Sequence, residues 1–78
     1  MTTGQIFEIT HHALNMCEMM GFELVTLCIH PAYGNFAVFL NGCTPEQGKR
    51  LKEFGAVQKD ERTFEVKHDG ISGLIYTK

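Results

Sequence analysis

All seven Lys and Arg residues of this 78-residue chain lie after position 43. Residues 1–43 carry three charges, Glu8, Glu18 and Glu23, among 24 apolar residues. Residues 44–78 carry 13 charges and 10 apolar residues. The three Cys and four Met residues all fall in the first segment. Such a division leaves little choice: the first segment supplies the core and the second its charged cover. A domain of this size buries only roughly 60% of the surface its unfolded chain exposes. The first segment therefore holds more apolar side chain than one small subunit hides with ease. That surplus points to an apolar surface offered to a partner or to a second copy.

Periodicity divides the chain into elements. Over residues 5–20, Ile6, Ile9, Ala13, Met16, Cys17 and Met20 recur at spacings of three and four, the stripe of an amphipathic helix. Thr2 or Thr3 caps its start, and Gly21 suits a left-handed end. Phe7, His11, Leu14 and Glu18 make a second stripe on the same helix, turned away from the first. Residues 23–30 and 35–41 read as a hairpin around Pro31-Ala32-Tyr33-Gly34. Strict alternation puts Val25, Leu27 and Ile29 on one face and Leu24, Thr26, Cys28 and His30 on the other. In the returning strand Phe36, Val38 and Leu40 share a face, and Ala37 and Phe39 share the opposite one. The hairpin is apolar on both faces, unlike a sheet with one wet side.

Thr44-Pro45-Glu46-Gln47 is the sharpest local signal, an N-cap, a first-turn proline and a capping box. It opens a short helix that runs to about Phe54 and stops at Gly55, with Leu51 and Phe54 inward. A strand starts at 56–59. Phe64 and Val66 alternate inward in the next strand, Asp69-Gly70 is a hairpin turn, and Ile71 to Thr77 form the last strand, loosened by Gly73. The order αββαββ(β) predicts a single α+β domain over 1–78, with two helices on an antiparallel sheet of four or five strands. The same order arises when the first strand of a ferredoxin-like sandwich is moved to the end, an analogy of topology that carries no function.

Composition and motif exclude more than they assign. The formal net charge of −2 argues against a domain dedicated to phosphates. The longest uninterrupted apolar run, Phe36 to Leu40, is far too short to span a bilayer. The first residues lack a basic stretch followed by an apolar block, so no signal peptide is expected. Three cysteines without paired spacing suit a reducing cytoplasm. His11, His12, His30, His68, Cys17, Cys28 and Cys43 are the metal-ligand types present, but zinc spacing is missing and no metal or cofactor is expected. Cys28 and His30, two apart on one strand face, are the only pair placed to share an ion. Cys43 lies one residue before the second helix, where the helix dipole lowers a thiol pKa. A Cys43 nucleophile also needs His30 or His68 beside it, and no motif requires that; the chain reads as non-enzymatic.

What remains is contact with another protein. Interface cores are poor in charge and rich in aromatic residues and Met, as the first segment is. Phe7, Leu14, Tyr33, Phe36 and Phe39 are the expected contact residues, and pairing of two 23–41 hairpins would make a homodimer. A small soluble module that occupies a partner's surface is the expected function. Phages and mobile elements encode many inhibitors of that kind, anti-CRISPR proteins among them. The competing reading is a module for single-stranded nucleic acid, contacted through Lys49, Arg50, Lys52 and Tyr33.

Overall fold

The structure, a computed structural model, describes residues 1–77. Its elements are α1 (Thr3–Met20), β1 (Leu24–His30), β2 (Asn35–Leu40), α2 (Pro45–Glu53), β3 (Val57–Asp60), β4 (Thr63–His68) and β5 (Ile71–Tyr76). The α+β class, the two helices and the upper strand count agree with the sequence reading. The strands form one sheet in the order β1-β2-β5-β4-β3.

The sheet is mixed. β1–β2, β4–β5 and β3–β4 pair antiparallel, but the central pair β2–β5 is parallel. The reason is a count. Helix α2 turns the chain back so that β3 starts in the sense of β2. A meander of three strands then brings β5 home in that same sense, whereas two strands would have brought it back reversed. The third late strand thus separates this fold from a permuted ferredoxin-like sheet, which is antiparallel throughout.

Both helices begin in capping boxes. Thr2 Oγ1 accepts from Gln5 N at 3.1 Å while Gln5 Oε1 accepts from Thr2 N at 2.8 Å. Thr44 and Gln47 repeat the arrangement at 3.1 and 2.9 Å. Gln47 does more: its Nε2 donates to Met20 O at 2.9 Å, so the start of α2 satisfies the end of α1. Gly21 ends α1 at φ 73°, as its lack of a Cβ permits. Asp69 and Gly70 both take positive φ, the pairing a tight β4–β5 hairpin needs. In the β3–β4 turn Asp60 Oδ1 accepts from Arg62 N at 2.8 Å, which holds the Asp60 carboxyl below the usual carboxylate range.

The core lies between the helices and one face of the sheet. Ile9, Ala13, Cys17 and Met20 bury the α1 stripe; Leu51 is the inward residue of α2. Phe36, Val38, Leu40, Phe64, Ile71 and Ile75 meet them from the sheet. Two side chains depart from the alternation. A bulge between Leu24 and Thr26 brings Leu24 opposite Leu40, against the core, and leaves Val25 exposed. Phe54 sits 68% exposed, because the helix proper ends at Glu53 and the cap residue leaves the helical path.

Candidate functional site

With both helices on the inner face, the other face of the sheet is uncovered. Register fixes what stands on it. Cys28, Ala37, Leu74 and Glu65 form one row across β1, β2, β5 and β4. Thr26, Phe39, Tyr76 and Thr63 form the next, and His30, Asn35, Ser72 and Lys67 the third. The centre is uncharged. Phe39 and Tyr76 stack with ring centroids 5.0 Å apart and planes 16° from parallel. Such a pair adds about 0.5–1.5 kcal/mol to whatever area it buries. The His30–Lys67 row at one end and one Lys59–Glu65 pair at 3.7 Å along one side make a polar border. An apolar, aromatic area with a polar border is the composition of a protein-binding patch.

The five residues singled out from sequence do not meet. Phe39, 38% exposed, stands on the open face. Tyr33, 82% exposed, caps the β1–β2 turn at one end of it. Phe7 and Leu14 are exposed on the back of α1, with the helix and the sheet between them and Phe39. Phe36 is not a surface residue at all. It is 8% exposed and lies against Gly73, directly opposite it in the β2–β5 ladder. A Cβ built on Gly73 would stand 2.1 Å from Phe36 Cζ, so the glycine is the seat of that ring. Sequence reasoning did not place Tyr76 and Leu74 on the same face as Phe39. Their signal was the alternation of β5, readable only once its neighbours were known.

The cations Lys49, Arg50 and Lys52 belong to α2, in the helical layer. The stacked rings belong to the opposite side. These α2 cations therefore do not share a surface with the rings, which have only Lys67 and the Glu65-paired Lys59 on their own side, and that weakens the nucleic-acid reading.

Two depressions lie on the helical side. A groove of about 250 Å³ runs between α1, the end of α2 and β4, floored by Val38, Leu51 and Ile75 and walled by Met16, Met19 and Phe54. His12 and His68 stand at its rim with centroids 4.6 Å apart, and His68 Nε2 lies 3.3 Å from Glu8 Oε2. Cys43 lines a second of about 380 Å³ with Lys49 and Lys52, where neither His30 nor His68 reaches. Its Sγ donates to Thr44 O at 3.4 Å, and burial pushes its pKa up, opposite to the lowering that a helix start suggests. Burial raises the Cys17 thiol as well. All three cysteines are free. Among the described residues, no three His, Cys, Asp or Glu side chains are grouped to hold a metal ion. No helix among them is long and apolar enough to cross a membrane. Comparison with protein-family models, curated proteins and solved structures yields no match.

Proposed function

We propose that this protein is a small, non-enzymatic interaction module that acts by occupying a surface of a partner protein with the open face of its sheet. The stacked Phe39–Tyr76 pair on the two middle strands of that face, with no charge in its row, is the observation that carries the reading. Buried aromatic anchors ringed by weaker polar contacts are the usual hot spots of protein association. Tyr33, at the end of the same sheet, extends the contact. Phe7 and Leu14 form a separate apolar stripe on α1, and Phe36 drops out of the contact set. Inhibitors encoded by phages, anti-CRISPR proteins among them, work by surface occupation of this kind, and the proposal includes that class. Three free cysteines suit a reducing compartment, so the proposed place of action is the cytoplasm.

Binding of single-stranded nucleic acid is the second reading, favoured by the exposed ring stack on two middle strands. Salt separates the two. Immobilised protein and its Tyr76→Glu variant are exposed to cell lysate at low and high salt. A protein captured at both salts and lost with Tyr76→Glu supports the proposal. Nucleic acid captured at low salt and released at high salt supports the alternative. A protein captured equally by the variant places the contact elsewhere.

A further inference from the structure

The two edges of the sheet are built differently. Edge β3 has four residues, two of them the charged Lys59 and Asp60, and an irregular register between Gln58 and Asp60. Charge, shortness and irregularity are the ordinary guards against pairing with another chain. Edge β1 has seven residues, Leu24–His30, with no Lys, Arg, Asp, Glu or Pro. Its one guard is the bulge at Val25, which leaves Thr26–His30 as a regular free edge. Among the described residues nothing pairs with that outer side. Its side chains are short of cover too: Leu27 and Ile29 point to the helical layer and Cys28 to the open face, and all three are only half-buried.

We infer that β1 is a self-pairing edge, and that two copies of the chain join antiparallel through it into one ten-stranded sheet. A second copy fits this edge for three reasons. Antiparallel pairing of like strands is a two-fold arrangement, so it closes at two copies; the guarded β3 edges stop growth. The junction brings no charge against like charge. With the pairing centred on Leu27, Thr26 of one copy stands beside Cys28 of the other on the open face, and Leu27 meets its own copy on the helical side. A sixth neighbouring strand would cover Leu27, Cys28 and Ile29 on both faces at once. The dimer would also carry both open faces on one continuous sheet, doubling the platform with no new side chain. The inference concerns the edge and does not depend on what the open face binds.

Amide hydrogen exchange and light scattering across a series from about 10 μM to about 1 mM test it. Thr26→Lys puts a cation on the free edge, close to its own copy across the two-fold. Ser72→Glu puts a charge on the open face at the middle strand, away from the edge. The expected result is a dimer whose β1 amides pointing away from β2 gain protection as concentration rises. Thr26→Lys should raise the concentration midpoint by about tenfold or more, while Ser72→Glu leaves it in place. A monomer over the whole series, with those amides exchanging freely, would overturn the inference. So would a dimer dispersed by Ser72→Glu and untouched by Thr26→Lys, which would mean association through the faces. Protection of the β1 amides that does not vary with concentration would also overturn it.

Discussion

Replacing Gly73 by Ala sets a methyl group into the Phe36 ring. The new Cβ would lie 2.1, 2.4 and 2.5 Å from Cζ, Cε2 and Cε1 of that ring. Carbon atoms pack at about 3.5–4.0 Å, so the methyl is more than 1 Å too close to three atoms at once. The ring is packed into the core: Phe36 is 8% exposed and belongs to the central parallel pair. Overpacking of a core by one methyl group costs about 1–3 kcal/mol, and an overlap this deep belongs at about 3 kcal/mol. At roughly 0.05–0.15 kcal/mol per residue, the whole domain is stable by about 4–12 kcal/mol. Each kcal/mol moves Tm by about 4–8 °C in a domain of this size, so a fall of about 12–24 °C is expected. Urea denaturation followed by circular dichroism gives the free energies, and a double-mutant cycle gives the cause. Phe36→Ala alone should cost about 3–5 kcal/mol. In that background Gly73→Ala should be neutral or stabilising by about 0.5–1 kcal/mol, since Ala loses less backbone entropy than Gly on folding. A Gly73→Ala cost under about 1 kcal/mol, or the same cost with and without the Phe36 ring, would refute the reasoning.

Other outcomes follow from the same geometry. Gln47→Ala removes the capping box of α2 and the bond to Met20 O together, so it should cost about 1–2 kcal/mol, more than Thr44→Ala, by chemical denaturation. Burial raises the Cys43 thiol, so at neutral pH its alkylation by iodoacetamide should be slower than that of a thiol in the urea-unfolded chain. Its rate should climb only on the alkaline side of the ordinary thiol range. Folding stability carries the same sign: the contribution of the buried neutral thiols is full below the unfolded thiol pKa and is lost as pH rises through the raised one. Asp60 runs the other way. Its lowered carboxyl favours the folded turn above the ordinary carboxylate pKa, and that preference disappears on acidification, which NMR titration of the β3–β4 turn should show.

Local chemistry was legible in the sequence wherever one segment decided it. Thr44-Pro45-Glu46-Gln47 set the start of α2, Gly21 the end of α1, and Asp69-Gly70 a turn with two positive φ values. The charge-poor first segment pointed to an apolar surface beyond the core, and the structure leaves one sheet face uncovered. What failed depended on neighbours distant in sequence. Gly73 read as a weak spot in a strand because its partner Phe36 lies 37 positions away (73 − 36) across the ladder. Phe36 read as a contact for the same reason, since nothing local says which face of a doubly apolar hairpin the helices cover. Leu24 changed sides through a bulge that strict alternation cannot foresee. The parallel sense of β2 and β5 hung on whether two or three strands follow α2.

The proposal rests on the open face rather than the back of α1, and a paired affinity measurement separates them most directly. The affinity of the captured partner is measured for Phe39→Glu and for Phe7→Glu, both exposed substitutions on opposite sides of the molecule. Loss of a buried aromatic anchor costs about 2 kcal/mol or more, so the proposal requires at least about a tenfold loss with Phe39→Glu and native affinity with Phe7→Glu. Native affinity in folded Phe39→Glu, with the loss falling on Phe7→Glu, would contradict it and move the binding surface to α1.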